Sequence, residues 1–263
     1  MSAIEQTVLS SITREIASLP GQVGFYYKNL ATGHTAGYRE EEAFLAASVI
    51  KFPLFLHILS LASRDELDLS EKLLITESDK VPSCGALTLF TGEVECDIAT
   101  LCRLMITISD NTATNRLIRH LGIEEINRGF AEMGLAKTVL RRKLFDTAAS
   151  AQGIQNTICP REMGDLLEVL HQGNFLSPAV SREAINTLLL QQIGHKLDGK
   201  LCERYPIAHK TGEDDGLTND VGLILAPTPF ILCFAGNHTD VYRFEDLMRR
   251  SAHDLAKALV QDT

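Results

Sequence analysis

The segment Phe44-Leu-Ala-Ala-Ser-Val-Ile-Lys51 opens a long apolar stretch and carries two residues that can act together in catalysis. Ser48 and Lys51 are three positions apart, which on a helix places both side chains on one face, one turn apart. A serine hydroxyl becomes an effective nucleophile when a neighbouring base removes its proton. Lysine can be that base when burial or nearby cations lower its pKa. A serine three residues before a lysine also occurs by chance, and the alternative is a helix-start serine beside a solvated lysine.

A second motif, Ser109-Asp110-Asn111, follows an apolar segment with helical spacing at residues 101–108. Serine, aspartate and asparagine are common at helix starts, so a capping role is one interpretation. The other interpretation is functional: Ser109 supplies a hydroxyl for proton relay, and Asn111 supplies an amide that can bind a substrate.

A third motif, Lys210-Thr211-Gly212, precedes an acidic turn that begins at Glu213. A lysine, a hydroxyl and a glycine at the edge of a strand suit a substrate carboxylate, and glycine allows the substrate backbone to approach closely. On its own the motif is more typical of an exposed strand end.

The three motifs occur in the order Ser-x-x-Lys, Ser-Asp-Asn, Lys-Thr-Gly, which is the signature of class A β-lactamases and related penicillin-binding proteins. The chain resembles class A in spacing as well, with 61 residues from Ser48 to Ser109 and 101 from Ser109 to Lys210. Further matches are Phe44 before the serine and Asn219-Asp-Val221 after the third motif. The resemblance extends over nearly the whole chain.

The resemblance implies an α+β fold of the β-lactamase/transpeptidase type, an antiparallel sheet flanked by helices with an all-helical lobe beside it. It implies that Ser48 attacks a carbonyl, with Lys51 as general base and Ser109 protonating the leaving nitrogen. The implied oxyanion hole consists of the backbone N–H groups of Ser48 and Glu213. The residues implied to bind the substrate are Asn111, Lys210, Thr211, Gly212 and Glu213.

The segment before Thr157-Ile-Cys-Pro160-Arg-Glu-Met163 departs from the family pattern. Class A enzymes carry a glutamate there, within Glu-x-x-Leu-Asn, that activates the water which hydrolyses the acyl-enzyme. Counting back without gaps places Lys143 at the glutamate position, with Asp146 and Thr147 in place of Leu-Asn. Because a lysine cannot do the glutamate's work, we expect deacylation to be slower by about 10²–10⁴-fold, the usual contribution of a general base.

Two further expectations concern this loop. Asp146 is a candidate replacement base if the loop folds differently from the family's. Lys143, if it lies near Lys51, lowers the pKa of Lys51 and so favours the neutral amine.

Apolar periodicity predicts two kinds of structure along the chain. Residues 4–16 carry an isoleucine or valine at every fourth position, which predicts a first amphipathic helix. Hairpin patterns follow at residues 22–38 and 221–235, and residues 241–260 predict a closing helix. The middle of the chain has mostly helical spacing. We therefore predict an α/β lobe from residues 1–47 and 196–263, a helical lobe from residues 48–195, and a binding cleft between them.

The composition is that of a soluble globular protein, with 45% hydrophobic and 22% charged residues. With 25 Lys and Arg against 34 Asp and Glu, the net charge of -9 argues against nucleic acid as a partner. The histidines and the scattered cysteines show no metal-binding spacing, so we expect neither a metal nor another cofactor. The N-terminus shows no basic-then-apolar leader and no stretch reaches membrane-spanning length, so we expect a cytoplasmic protein that makes no membrane contact.

The leading hypothesis is a serine hydrolase that forms an acyl-enzyme on Ser48 with β-lactams or related small amides and esters carrying a carboxylate. A peptide with a terminal carboxylate suits a cytoplasmic location better than a β-lactam. Two alternatives stay open: an active β-lactamase with a replacement base, and a non-catalytic penicillin-binding or sensor protein. Cys84 falls in a region that lines the cleft in the family, where an ordinary thiol is a simpler interpretation than a nucleophile.

Overall fold

The computed structural model describes residues 2–201 and 204–260 of the chain. The β-strands are β1 (Gln22–Asn29), β2 (Thr35–Tyr38), β3 (Phe44–Leu45), β4 (Lys72–Ile75), β5 (Val94–Asp97), β6 (Thr157–Ile158), β7 (Ile207–Asp214), β8 (Leu217–Ile224) and β9 (Phe230–Asn237). The α-helices are α1 (Ala3–Ile16), α2 (Lys51–Ser63), α3 (Ile98–Thr107), α4 (Asn111–Leu121), α5 (Ile123–Glu132), α6 (Thr147–Ala151), α7 (Pro160–His171), α8 (Pro178–Leu188) and α9 (Val241–Val260). Short 3₁₀ turns lie at Ala47–Ile50, Glu77–Asp79, Leu87–Leu89 and Leu197–Lys200.

Five strands form an antiparallel sheet in the order β2-β1-β9-β8-β7, and both faces of this sheet are buried. Successive side chains of a strand point to opposite faces, so the cross-strand partners Phe25 and Phe234 pack on one side. Their neighbours Tyr26 and Cys233, also cross-strand partners, pack on the other. A sheet that is apolar on both faces must be covered on both sides.

Helices supply both covers. On one side α1 and α9 pack together and bury Ile12 and Leu247 against the sheet. On the other side α7 lies close to the sheet, because Gly164 leaves room for the Tyr26 ring; a Cβ there would lie 2.3 Å from Tyr26 Cδ1. The predicted α+β fold with a helix-flanked antiparallel sheet is therefore confirmed.

The first helix, the two hairpins and the closing helix lie where the apolar spacing predicts them. The sheet takes its strands from residues 22–38 and 207–237, and helices α2 to α8 lie between these segments. The lobe boundaries at residues 47/48 and 195/196 stay a prediction. In residues 2–201 and 204–260, every helix is too short or too polar to span a lipid bilayer.

Candidate active site

Ser48 lies in the 3₁₀ turn Ala47–Ile50 that leads into α2. Ala47 has a φ of 41°, a left-handed conformation that costs a non-glycine residue about 1–2 kcal/mol, and such strain concentrates at functional sites. Strand β7 runs close to this turn: a Cβ built on Gly212 would lie 3.0 Å from Ala46 O and 3.2 Å from Ser48 N. A glycine at position 212 therefore allows β7 to approach the Ser48 N–H closely.

The Lys51 side chain is fully buried, with four oxygen atoms around its amine. Lys51 Nζ lies 2.9 Å from Ser48 Oγ, 2.9 Å from Ser109 Oγ, 2.8 Å from Ser109 O and 2.7 Å from Asn111 Oδ1. An ammonium group has three hydrogens to donate and no lone pair. Four oxygens at this distance therefore also suit a neutral amine that accepts a proton from one of the hydroxyls.

Burial lowers the pKa of Lys51 well below its usual value, and the Lys210 ammonium lowers it further. Nearby acidic groups oppose this shift more weakly. The cation that acts on Lys51 in this way is Lys210, whereas Lys143, whose effect was conditional on lying near Lys51, is exposed to solvent. A depressed pKa favours the neutral form of Lys51, the form that can take a proton from Ser48.

Ser109 Oγ bridges the two buried lysines of the site. It lies 2.9 Å from Lys51 Nζ and accepts a hydrogen bond from Lys210 Nζ at 3.1 Å. Burial lowers the pKa of Lys210 to about 7, against the opposing effect of the Asp220 carboxylate. A hydroxyl in this position can pass a proton between an amine and a leaving group.

Asp110 fixes the loop that forms one wall of the site. Its Oδ2 accepts hydrogen bonds from Ala86 N at 2.7 Å and Leu87 N at 2.9 Å. Its Oδ1 caps α4 by accepting from Ala113 N at 2.9 Å. The loop presents Cys84, an exposed thiol, to the cavity. Asp110 thus holds the wall, while its two neighbours in the motif face the buried lysine.

A cavity of about 640 Å³ lies in front of Ser48, within the usual range for a small-molecule site. Residues of all three motifs line it, namely Ser48, Ser109, Asn111, Thr211 and Gly212, and so does Glu213, which follows the third motif. Lys51 and Lys210 lie behind this lining and are hydrogen-bonded to it. Across residues 2–201 and 204–260, no three His, Cys, Asp or Glu side chains group in a way that could hold a metal ion.

The loop before α7 closes another side of the cavity, and its register depends on an asparagine. Asn115 of α4 donates from Nδ2 to Leu144 O and accepts at Oδ1 from Leu144 N, both at 2.8 Å. Leu144 lines the cavity, whereas Lys143 is exposed and does not. Asp146 also lines the cavity, and its Oδ1 caps α6 by accepting from Ala149 N at 3.0 Å.

The sequence interpretation did not single out Asn115, Leu144 or Lys196. Asn115 lies four residues after Asn111 on one helix, so helical spacing was a signal that could have found it. Lys196 is fully buried and donates to Gly212 O at 3.1 Å. Lysines are rarely buried, so the expectation from sequence is an exposed Lys196. Nothing in the sequence around Lys196 predicts its burial.

Comparison with known proteins gives one consistent result. The model of the Beta-lactamase enzyme family matches residues 7–261 of this chain. A β-lactamase of Rhodobacter capsulatus is 28% identical over 271 aligned residues, which cover 98% of this chain and 90% of that protein. Beta-lactamase ROB-1 of Haemophilus influenzae is 27% identical over 235 residues, covering 86% of this chain and 74% of that protein.

Solved structures agree with these matches. PBP-A superposes with a TM-score of 0.87 at 27% identity, covering 97% of this chain and 96% of that one. An acyl-enzyme complex of a leucine-to-glutamate variant of PBP-A with penicillin G gives the same TM-score of 0.87 at 27% identity, covering 97% of both chains. A β-lactamase from Sphaerobacter thermophilus gives 0.86 at 25% identity over 96% of both chains. With its motifs gathered in one cavity and a family match over almost its whole length, the chain belongs to the beta-lactamase enzyme family and is a β-lactamase-like hydrolase.

Proposed function

We propose that the protein forms an acyl-enzyme on Ser48 with β-lactams or related small amides and esters, and that it releases the acyl group slowly. The observation that carries this proposal is the contact of the buried Lys51 amine with Ser48 Oγ at 2.9 Å, beside an open cavity. In the similar protein PBP-A, a variant forms an acyl-enzyme with penicillin G. That complex supports a β-lactam as an acyl donor here.

Acylation begins when neutral Lys51 accepts the Ser48 proton and Oγ attacks the substrate carbonyl carbon. The N–H groups of Ser48 and Glu213 stabilise the negative charge that develops on the carbonyl oxygen; one such donor contributes about 10²–10³-fold to the rate. As the C–N bond breaks, Ser109 gives its proton to the leaving nitrogen and takes one from Lys51. The hydrogen bonds of Ser109 Oγ to both lysines support this relay.

The substrate's carboxylate binds at the β7 edge of the cavity. Lys210 supplies positive charge behind the lining, and Thr211 supplies a hydroxyl in it. Asn111 also lines the cavity, where its amide can bind the acyl side chain. We therefore expect substrates to carry a carboxylate next to the scissile bond.

Deacylation lacks a positioned base. Counting along the sequence assigned the family's glutamate position to Lys143, but Lys143 is exposed and Leu144 lines the cavity. We therefore assign that position to Leu144, whose backbone Asn115 holds on both sides. An apolar side chain cannot activate water, so the acyl group should persist on Ser48.

A second candidate function is a β-lactamase with a replacement base. The observation that favours it is that Asp146 lines the cavity. Against it, Asp146 Oδ1 already accepts the hydrogen bond that caps α6, which ties this carboxylate to the start of the helix.

Acylation is tested by incubating the protein with a chromogenic cephalosporin while recording both colour and intact mass. We expect one rapid equivalent of product, an adduct that maps to Ser48, and no adduct in Ser48→Ala. Sustained turnover that is lost in Asp146→Asn would support the replacement base instead. Absence of any adduct with β-lactams and activated esters would overturn the acylation mechanism.

The loop assignment is tested by placing a carboxylate at each of two adjacent positions. We expect Leu144→Glu to speed loss of the Ser48 adduct by about 10²-fold or more, the scale of general base catalysis. The matched variant Lys143→Glu should leave the adduct lifetime unchanged, because its side chain is exposed. The reverse result would return the glutamate position to Lys143.

A further inference from the structure

Lys196 lies in the segment between α8 and β7 and is fully buried, although the proposed mechanism does not use it. Its Nζ donates to Gly212 O at 3.1 Å and to Asn219 O at 3.2 Å. Gly212 and Asn219 are cross-strand partners of β7 and β8. One ammonium group therefore ties together the two strands at the edge of the cavity.

The first of these carbonyls, Gly212 O, lies next to one of the two N–H groups of the oxyanion hole. Gly212 O belongs to the peptide group whose nitrogen is Glu213 N, the expected oxyanion donor of β7. A hydrogen bond to a carbonyl oxygen fixes the plane of its peptide, because the peptide group is rigid and planar. Lys196 consequently restrains the direction in which the Glu213 N–H points.

The second carbonyl, Asn219 O, belongs to a residue that is hydrogen-bonded to the chain just before Ser48, whose N–H is the other oxyanion donor. Asn219 donates from Nδ2 to Leu45 O at 2.9 Å and to Ala46 O at 3.1 Å, and its Oδ1 accepts from Gly236 N at 3.0 Å. These bonds hold the chain just before the left-handed Ala47 and the Ser48 N–H. Restraining Asn219 thus also restrains the nucleophile turn.

We propose that Lys196 is a positioning residue that holds both oxyanion N–H donors in place, one through Gly212 O and the other through Asn219. This inference rests on the acyl-enzyme mechanism proposed above. Lys196 is fully buried and is not part of the cavity lining, and its Nζ is turned to the Gly212 and Asn219 carbonyls, so the proposal gives it no contact with the substrate.

The surroundings of Lys196 can accommodate a buried charged group. Glu213 Oε1 lies 3.1 Å and Glu245 Oε1 3.9 Å from its Nζ, so the buried charge has acidic partners. Buried charges in proteins are normally paired and hydrogen-bonded, because an isolated buried charge is very costly. A neutral apolar side chain would fill the same space but would leave both carbonyls without this donor.

The charge also acts on Lys210, which gives a second readout. The charged and titratable groups that face Lys210 are Asp220, Lys196, Cys84, Glu213 and Lys51. Lys196 lowers the pKa of Lys210, so its removal should raise that pKa above about 7. If Lys196 only held the two strands together, its removal would not change the pKa of Lys210.

The experiment compares Lys196→Met, Lys196→Gln and Lys196→Arg by stopped-flow acylation with a chromogenic cephalosporin, as a function of substrate concentration and pH. We expect Lys196→Met to lower the acylation rate constant about 10- to 100-fold with an unchanged noncovalent dissociation constant, since small displacements of catalytic groups have effects of this size. Lys196→Gln should keep more of the rate because it keeps an N–H donor, and Lys196→Arg should restore the most. The pH at which acylation declines should rise in the Met and Gln variants but not in Arg.

Rates are expressed per folded molecule, and Lys200→Met, an exposed lysine four residues away, is the control for a lysine lost from this segment. An acylation rate constant unchanged in folded Lys196→Met or Lys196→Gln would overturn the proposal. A weaker noncovalent complex with an unchanged rate constant would also overturn it, in favour of a contact with the substrate carboxylate. Failure of the wild-type protein to form any Ser48 adduct is a different result and would refute the proposed function itself.

Discussion

At Gly212, strand β7 lies in close contact with the turn that carries Ser48. Replacing Gly212 by alanine adds a methyl group at this contact and can push β7 away from the turn. In Gly212→Ala the new Cβ meets backbone atoms, Ala46 O at 3.0 Å and Ser48 N at 3.2 Å. We expect β7 to move by a few tenths of an ångström, acylation to slow about 100-fold, and the free energy of unfolding to fall by about 1–3 kcal/mol. Adduct formation by mass spectrometry and denaturant unfolding measure the two effects.

A matched variant separates crowding from loss of geometry. Gly222→Ala on β8 would place a Cβ 3.0 Å from His209 Cβ and 3.0 Å from Leu197 Cδ1, which are side-chain atoms away from the nucleophile turn. It should lose a similar amount of stability but keep most of its acylation rate. Equal rate losses in both variants would mean that general crowding, and not the approach of β7 to Ser48, sets the rate.

The titration of Lys210 predicts how acylation depends on pH. Burial lowers the pKa of this lysine to about 7, so it is charged below that pH and becomes neutral above it. For a substrate with a carboxylate, the second-order rate constant of acylation should fall as the pH rises through about 7, since this constant reports the free enzyme. An activated ester without a carboxylate should not show this fall. If both substrates show it, Lys210 acts on the chemistry through Ser109 and not on binding.

At the scale of the secondary-structure elements, the loop of residues 140–156 is held by side-chain amides from neighbouring helices. Asn115 clamps the backbone of Leu144, and Asn127 of α5 makes the same pair of bonds to Leu140, at 2.7 and 2.9 Å. Both asparagines are half-buried. They therefore form a natural pair for comparison.

We expect Asn115→Ala to free the cavity-facing part of this loop without unfolding the protein. Amide hydrogen exchange should speed up at residues 143–147, because the Leu144 backbone loses both of its hydrogen bonds to the Asn115 side chain of α4. Asn127→Ala should instead speed exchange at residues 139–141 and leave residues 143–147 protected. Equal exchange profiles in the two variants would show that the loop moves as one unit and that Asn115 does not set its register.

Regular apolar spacing was enough to predict α1, α9 and the hairpins, because each buries a continuous stripe or alternate faces. The three motifs were enough to predict that Ser48 and Lys51 meet Ser109. The loop register was not predictable by counting, because it depends on hydrogen bonds between positions far apart in sequence. Leu144 is bound by Asn115, and Ala46 N donates to Asn156 O. A count without gaps selected the exposed Lys143, whereas we propose Leu144, which lines the cavity, for this position.

At the scale of the whole molecule, the sheet belongs to two hydrophobic cores at once. The first core lies between one face of the sheet and the pair α1 and α9. The second core lies between the opposite face and the helices α2 to α5, α7 and α8. In β9 the alternation is direct: Phe234 lies in the first core and its neighbour Cys233 in the second. Damage to the first core should therefore weaken the sheet and, through it, the helices on the other side.

Ile12→Ala tests this coupling, because Ile12 of α1 is buried in the first core and does not line the catalytic cavity. We expect the free energy of unfolding to fall by about 2–5 kcal/mol, whereas Ile4→Ala, on the exposed face of the same helix, should change it by about 0.5 kcal/mol or less. During heating, the buried thiols Cys102 of α3 and Cys233 of β9 should react with a thiol reagent in one transition, with the labelled peptides assigned by mass. Labelling of Cys233 well before Cys102 would show that the sheet unfolds separately and that the two cores do not form one cooperative unit.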